Sequence, residues 1–340
     1  MDQSHLMNRV LQELTEYKWT KVAEQAYRLK PQMNATSTSY FMFLGFPSHL
    51  EVQIPMLLLL SAVYVVTVTG NSFIIAITCA DTNLHSPMYF FLRVLSLLEI
   101  CYTTVTLPKM LHDLVSRDKS ISFSGCALQM YFLLFLGTVE CFLLAVMSYD
   151  RYLAICLPLH YMVLMSKGVC VRLTLASWLC GILLPLVNTS WAFSLPYCGS
   201  NEINHFFCDF PPVLKLACAD TSLNEAVMLV SSLIITLRPF IFILISYACI
   251  LGTILRVPSA TGRQKLFSTC SSHLIMVTLF YGTASFMYLQ PKSSYSLERD
   301  KFLSLFYTVI TPMLNPIIYT LRNTEVKKAI KRMTKRKILF

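Results

Sequence analysis

Charged residues are scarce in this chain of 340 residues. Asp, Glu, Lys and Arg together make up 14% of it, whereas a soluble domain carries about a quarter. Hydrophobic residues, in contrast, reach 55%. A chain with so little charge and so much apolar surface is not expected to fold as an ordinary soluble domain, and its composition favours a membrane protein.

The sequence also lacks the clustered residue types on which enzymes depend. Its histidines do not fall at metal-ligand spacings, and no catalytic pairing of a nucleophile with a base is visible. Five of them are scattered along the chain: His85, His112, His160, His205 and His273. We therefore expect no catalytic residues and no enzymatic activity.

What the chain has instead is seven apolar runs, each near the roughly twenty residues that cross a bilayer core of about 30 Å. They cover residues 54–79, 88–111, 126–147, 170–187, 226–251, 266–289 and 302–319. An odd number of spans places the two termini on opposite sides of the membrane. The sequence thus predicts a bundle of seven membrane helices over residues 54–321.

The basic residues indicate which end is cytoplasmic. From residue 322 onward a single acid, Glu325, stands among eight basic residues: Arg322, Lys327, Lys328, Lys331, Arg332, Lys335, Arg336 and Lys337. Because cytoplasmic segments carry the excess of Lys and Arg, this tail is expected inside and the N-terminus outside, in a multi-pass plasma membrane protein. No soluble domain remains to present this charge to nucleic acid, so membrane lipid and acidic partner surfaces are the expected contacts.

Two terminal segments flank the predicted bundle. Residues 1–53 form an extracellular segment in which 1–32 is polar, has no apolar signal region and is expected to be disordered; Met33 is an alternative start. Asn34, in the sequon Asn34-Ala35-Thr36, is a glycosylation candidate. The cytoplasmic tail 322–340 spaces Val326, Ile330 and Met333 along one face, which predicts a short amphipathic helix.

Four of the twelve cysteines fall on the expected outer side, where oxidising conditions allow disulfides. They are Cys126, Cys198, Cys208 and Cys218. Two disulfides are therefore expected, and the residues alone leave all three pairings open.

Several motifs occur in order, each at the boundary or within the span where one receptor family has it. They are Gly70-Asn71, PMYFFLRVLS at 87–96, MSYDRYLAICLPLHY at 147–161, Ser246-Tyr247, KLFSTCSSHL at 265–274, FYGT at 280–283 and PMLNPIIYTLRN at 312–323. With them the chain resembles the rhodopsin-like G-protein-coupled receptors, and within these the odorant (olfactory) receptors. The resemblance implies an all-α membrane fold, a seven-helix bundle followed by a short amphipathic eighth helix.

The resemblance also assigns roles to particular residues. It implies disulfides Cys126–Cys208 and Cys198–Cys218, which would hold the outer loop as a lid. The expected ligand-binding residues, in the outer half of the bundle, are Leu133, Leu134, Gly137, Thr138, Ser231, Ser232, Tyr281, Ala284, Ser285, Tyr288, Leu305 and Thr308. The expected activation switch comprises Asp150, Arg151, Tyr152, Tyr247, Asn315, Pro316 and Tyr319. Asp150 is expected to neutralise Arg151, which acts as a latch that holds the cytoplasmic ends of the helices together. The expected partner is a stimulatory G protein that raises cyclic AMP.

The predicted ligand is a small, lipophilic odorant. Receptors for biogenic amines carry an acid seven residues after the cysteine of the third span, and Leu133 occupies that position here. A cationic neurotransmitter is therefore disfavoured. The lining is expected to select by shape and by burial of apolar surface.

Three charged residues lie at membrane depth. Glu99 and Glu140 cannot both stay ionised in a low dielectric unless they share a proton or a cation. The resemblance implies a sodium pocket formed with Asn315, and a protonated pair that only fixes helix packing is the alternative. Arg238 either binds an anionic group or points away from the bundle.

Two other functions are alternatives to an odorant receptor. A receptor of the same fold for a peptide or a metabolite would carry the same motifs. A transporter or channel is expected to show internal repeats or paired broken helices at the midplane, and the sequence shows neither.

Overall fold

The computed structural model describes residues 38–46, 49–288 and 297–338. Apart from Thr38 these residues belong to one compact unit, Ser39–Phe340. The predictions of a disordered segment 1–32 and of a glycan on Asn34 lie outside the described residues.

Eight long helices build the described part of the chain. They are α1 (Leu50–Ala80), α2 (Pro87–Val115), α3 (Phe123–Cys156), α4 (Lys167–Ala192), α5 (Ser222–Leu255), α6 (Ala260–Tyr288), α7 (Leu297–Leu305, Phe306–Ile310 and Thr311–Arg322) and α8 (Thr324–Ile338). Each of the first seven contains one of the predicted spans, apart from Leu289, which lies outside the described residues. The helices are longer than the apolar runs because they continue through the polar interface beyond the hydrocarbon.

Six of the described helices are long and apolar enough to cross a membrane, and α6 falls below that level. Arg263 and Lys265 occupy its first turns, and Ser and Thr recur along it. The bundle nevertheless includes α6, which hydrogen-bonds to α3 through Tyr281 and His273. The predicted seven-helix bundle is confirmed.

The helix α3 lies at the centre of the bundle. It is the most buried of the candidate spans, while most residues in the apolar stretches of α1, α4 and α5 are not buried. Exposure of apolar side chains such as Leu58, Leu175 and Leu244 would be energetically unfavourable in water. They are expected on helices whose outer faces contact lipid.

Two helices contain a π-helical turn, which inserts one residue per turn and rotates the side chains that follow. One covers Leu233–Leu237 in α5 and the other Phe306–Ile310 in α7. Pro316 lies farther along α7 and packs against α1, where a Cβ on Gly70 would lie 3.0 Å from Pro316 Cβ and Cγ. Glycine at position 70 thus permits the close approach of α1 and α7.

A small three-stranded sheet covers the outer end. Strand β1 (Tyr40–Phe43) pairs antiparallel with β2 (Ser120–Ser122) and parallel with β3 (Glu202–Ile203). The sheet joins three separate segments: residues 40–46, the α2–α3 connection and the α4–α5 connection. We call residues 193–218 of the last connection, together with this sheet, the outer lid.

The helix α8 follows α7 directly, as predicted, and extends to Ile338. Asn323 caps it, because its Oδ1 accepts hydrogen bonds from the backbone N–H groups of Glu325 (3.0 Å) and Val326 (3.2 Å). Val326 is buried and Lys327 is exposed. Apolar and basic residues therefore lie on different sides of this helix, as expected for one at the inner membrane surface.

Candidate functional site

Two disulfides hold the outer lid. Cys126, at the start of α3, is bonded to Cys208, and Cys198 is bonded to Cys218. Gln129, one turn below Cys126, strengthens the first junction: its Nε2 donates to Val105 O at 3.0 Å, and its Oε1 accepts from Cys208 N at 2.9 Å. The lid is thereby attached to both α2 and α3.

Beneath the lid is a cavity of about 60 Å³. Helices α2, α3, α5, α6 and α7 each contribute to its lining, which is mainly apolar. The lining residues are Tyr102, Leu133, Leu134, Gly137, Thr138, Cys141, Met228, Ser232, Ile235, Thr236, Phe280, Ala284 and Tyr307. Because no Asp, Glu, Lys or Arg lines it, the cavity suits an uncharged ligand.

One hydroxyl of this cavity has no hydrogen-bond partner among the described residues. The Thr138 hydroxyl donates to Leu134 O at 2.7 Å, and the Thr236 hydroxyl donates to Ser232 O. Ser232 is 5% exposed, and no described contact engages its own hydroxyl. Ser232 is therefore the hydroxyl that can bond to a polar atom of a ligand.

A buried acid connects the lid with the cavity. The Tyr307 hydroxyl donates to Asp209 Oδ2 at 3.1 Å, and the backbone N–H of Phe210 donates to Asp209 Oδ1 at 2.8 Å. Asp209 belongs to the lid, and Tyr307 lines the cavity. A change in the cavity can thus reach the lid through a single hydrogen bond.

The inner end of the bundle holds a second and larger cavity, of about 590 Å³. Its lining includes charged and polar side chains, among them Arg151, Lys265, Ser272, Tyr319 and Asn323. In this respect it differs from the mainly apolar outer cavity. No described hydrogen bond or ion pair engages Arg151. The Asp150 carboxylate accepts a 2.8 Å hydrogen bond from the Tyr161 hydroxyl, and Arg151 acts on it electrostatically without a described ion pair.

Tyr247 is tied to α6 and α3 through a histidine. The ring of His273 places Nε2 3.1 Å from Leu144 O and Nδ1 2.8 Å from the Tyr247 hydroxyl. Because a carbonyl only accepts, Nε2 carries the proton, and in the neutral ring Nδ1 accepts from Tyr247. This chain of bonds joins α5, α6 and α3 next to the inner cavity.

Comparisons with known proteins decide the family. The family model described as olfactory receptor matches residues 60–337. The human olfactory receptor 10A7 is 55% identical over 306 residues, covering 90% of this chain and 97% of that protein. The human olfactory receptor 10A5 is 54% identical over 300 residues (88% and 95%), and the mouse olfactory receptor 5T17 is 49% identical over 306 residues (90% and 94%).

The chain belongs to the olfactory receptor family. Its members are G-protein-coupled receptors and not enzymes, and the chain is accordingly a multi-pass protein of the plasma membrane. The outer cavity and the inner cavity thus occur in a receptor whose two ends face different compartments.

Within this olfactory receptor, six of the predicted ligand-binding residues line the outer cavity: Leu133, Leu134, Gly137, Thr138, Ser232 and Ala284. Five others do not: Ser231, Tyr281, Ser285, Leu305 and Thr308. The side chain of Tyr288 lies outside the described residues.

Three of the predicted residues that do not line the cavity make hydrogen bonds elsewhere. The Ser231 hydroxyl donates to Asn188 Oδ1 at 3.5 Å, and the Thr308 hydroxyl donates to Ser304 O at 2.6 Å. The Tyr281 hydroxyl donates to Cys141 O at 2.8 Å, which ties α6 to α3 below the cavity. Tyr281 therefore belongs to the helix contacts beneath the site.

Seven lining residues were not predicted: Tyr102, Cys141, Met228, Ile235, Thr236, Phe280 and Tyr307. Two of them, Ile235 and Thr236, fall in the π-helical turn Leu233–Leu237 of α5. Tyr307 falls in the π-helical turn of α7, where counting at 3.6 residues per turn does not hold.

Several buried polar atoms of α1, α2 and α7 have no hydrogen-bond partner among the described residues. These atoms include both carboxylate oxygens of Glu99, both side-chain amide atoms of Asn315, Asn71 Oδ1 and the Tyr319 hydroxyl. Glu99 is fully buried, and Glu140 lies near enough to act on it electrostatically. Oxygen ligands of this kind fit a hard cation such as sodium.

Arg238 is exposed on α5. The neighbours on the same side, Leu237, Ile241 and Phe242, are exposed as well. The side chain thus points away from the bundle toward lipid, the second of the two alternatives, and it does not line the outer cavity.

Proposed function

We propose that this receptor binds a small, largely apolar odorant in the outer cavity and activates a stimulatory, olfactory-type G protein that raises cyclic AMP. The observation that carries the proposal is the apolar cavity beneath the disulfide-held lid, with Ser232 as its free hydroxyl. A ligand there gains roughly 25 cal/mol for each Å² of apolar surface that it buries. A hydroxyl or carbonyl group on the ligand would add a hydrogen bond to Ser232.

The cavity must enlarge to admit an odorant. Its volume of about 60 Å³ is well below the roughly 300–1,000 Å³ of ligand pockets. Met228 is flexible enough to move aside, whereas Phe280 and Ala284 belong to α6. A ligand that displaces the α6 side chains would bias the position of that helix.

Movement of α6 would reach the inner cavity through two bonds to α3. Tyr281 holds Cys141 O, and two turns nearer the inner face His273 holds Leu144 O. A ligand that prefers the arrangement with these bonds broken shifts the population toward a bundle whose inner end is open to the G protein. Arg151 lines that inner cavity and is the residue that we assign to G-protein contact, with Tyr247 and Tyr319 beside it.

We further propose that Glu99, Glu140 and Asn315 hold a sodium ion that modulates the receptor. The ion would supply positive charge to two carboxylates buried in low dielectric. The orphaned oxygens of Glu99 and Asn315 support this assignment over a hydrogen-bonded pair, because a protonated pair would satisfy part of them.

The test is a cyclic AMP assay in cells that express the chain, both full-length and from Met33, together with a stimulatory G protein. Volatile alcohols, aldehydes, acids and ketones form the panel, and Arg151→Ala with verified surface expression is the control. We expect a dose-dependent rise that the control lacks. Silence from a wild-type receptor at the surface would contradict the odorant and G-protein assignments for this panel and favour a non-volatile ligand or another G protein.

A further inference from the structure

A third cavity lies at the inner end of the receptor, between the first turns of α2 and α4, with a volume of about 280 Å³. It is separate from the odorant cavity and from the cavity that contains Arg151. Arg93 and Lys167 give it cationic walls, and Phe90, Cys170 and Val171 give it an apolar floor. This combination of cationic walls and an apolar floor distinguishes it from the outer cavity and from the inner cavity that contains Arg151.

Arg93 is held in place from behind. Its Nη2 donates to Thr78 O at 2.7 Å and its Nε donates to Thr78 Oγ1 at 3.4 Å, so α1 fixes the guanidinium. Its Nη1 has no hydrogen-bond partner among the described residues. A guanidinium that is already oriented loses little freedom when it binds an anion, and its planar donors match phosphate oxygens.

The charge around this cavity is positive. No Asp or Glu is among its lining residues. The neighbouring acids are engaged elsewhere: Asp150 accepts from Tyr161 at 2.8 Å, and Asp81 pairs with Arg332 at 2.7 Å. Lys167 is exposed at the mouth, so an anion that enters meets two cations and no competing carboxylate in the wall.

An apolar stripe leads from the cavity into the membrane. Val171, Leu175 and Leu179 lie four residues apart on one face of α4 and are 45%, 62% and 57% exposed. A molecule with an anionic head and a hydrocarbon chain could occupy the cationic cavity and the stripe together. A free inorganic anion would use only the first.

We propose that this cavity binds the phosphate of an anionic phospholipid of the inner leaflet, with Arg93 and Lys167 at the phosphate and an acyl chain along Val171, Leu175 and Leu179. The cytoplasmic leaflet supplies such lipids, and each nearby cation adds to their attraction. The lipid bridges the inner ends of α2 and α4. The proposal concerns neither the odorant nor the G protein and stands without them.

The test is lipid retention by the full chain in nanodiscs of phosphatidylcholine, with and without about one fifth of phosphatidylserine, read by native mass spectrometry after release into detergent. The variants are Lys167→Gln alone and Arg93→Gln with Lys167→Gln. The matched control, Arg256→Gln with Arg263→Gln, removes the same charge from the end of α5 and the first turn of α6. Far-ultraviolet circular dichroism and thermal unfolding check that each variant is folded.

We expect the wild type and the control to retain phosphatidylserine in preference to phosphatidylcholine, and the double variant to lose about tenfold or more of that preference. Because Lys167 makes no described contact with α1, the Lys167→Gln variant should fold even if a variant with Arg93→Gln does not. Its preference for phosphatidylserine should fall several-fold. Equal retention by the variants and the control, or no preference for phosphatidylserine in the wild type, would overturn the proposal. Displacement of the lipid by millimolar inorganic phosphate would assign the site to a free anion instead.

Discussion

Tyr161, in the connection after α3, donates a hydrogen bond of 2.8 Å to the carboxylate of Asp150. The acid of the Asp150-Arg151-Tyr152 triplet is thus hydrogen-bonded to the inner loop, and no described hydrogen bond or ion pair joins it to the adjacent arginine. Burial, and then the nearby carboxylate, raise the pKa of Tyr161 well above its ordinary value. The hydroxyl therefore remains a donor at any physiological pH, and Arg151 is left facing the inner cavity.

Tyr161→Phe should raise cyclic AMP in the absence of ligand. A hydrogen bond to a charged group contributes about 1.5–3 kcal/mol, and its loss from the inactive arrangement would raise the active fraction by about tenfold or more. Tyr149→Phe is the control, since no described hydrogen bond engages the Tyr149 hydroxyl. Basal signalling equal to that of the control, at matched surface expression, would argue against a restraining role for this bond.

Two adjacent serines provide a matched pair for the outer cavity. Ser232→Ala should weaken the response to an oxygen-bearing agonist by about fivefold, the effect of one neutral hydrogen bond of about 1 kcal/mol. Ser231→Ala should leave it unchanged, because Ser231 bonds to Asn188 and does not line the cavity. Dose-response curves for both variants with one alcohol agonist measure the difference, and an equal shift in the two would exclude the direct contact.

The sequence predicted the bundle because membrane crossing leaves a strong signal. A run such as 126–147 must be apolar over its whole length, and the structure places it inside Phe123–Cys156. The prediction could not specify where the helices end, since the last turns of α3 carry the charged triplet and are not apolar. The sheet of the outer lid could not be predicted either, because β1 pairs with segments that lie far along the chain.

The lining of the outer cavity was only partly predictable. Counting back from Arg151 along the regular helix α3 placed Leu133, Leu134, Gly137 and Thr138, all four of which line the cavity. On α7 the family resemblance implied Leu305 and Thr308, whereas Tyr307 is the residue of α7 that lines the cavity. A π-helical turn changes the residue that faces inward, and the sequence carries no clear mark of where one forms.

Gly181 allows α3 and α4 to pack closely. A Cβ at this position would lie 2.4 Å from Val139 Cγ2 and 3.1 Å from the backbone oxygen of Phe135. Gly181→Ala should therefore destabilise the receptor by about 1–3 kcal/mol, as overpacking does. Gly252→Ala, where a Cβ would meet nothing within 4 Å, should be neutral or stabilising by up to about 1 kcal/mol. Thermal unfolding in detergent compares the two variants, and similar melting temperatures would show that the backbone at Gly181 can shift.

The outer lid should lose stability in acid because of His205. Burial, with a further effect of the Lys301 charge, lowers the pKa of His205 to about 4, although its Nδ1 donates to Phe207 O at 3.0 Å. An exposed histidine in the opened lid has a pKa of about 6.5. The stabilisation is complete above that value and is lost as the pH falls from about 6.5 toward 4, by about 2 kcal/mol at pH 5.

Hydrogen exchange of the lid amides at pH values of about 7.5 and 5, corrected for the intrinsic rate, measures this loss. In His205→Asn the side chain cannot charge, and its amide can still donate toward Phe207 O, so the pH dependence should flatten. His49→Asn is the control, because His49 is exposed and should leave the dependence intact. If the lid of His205→Asn opened in acid as readily as that of the wild type, another group would have to be the one that takes up the proton.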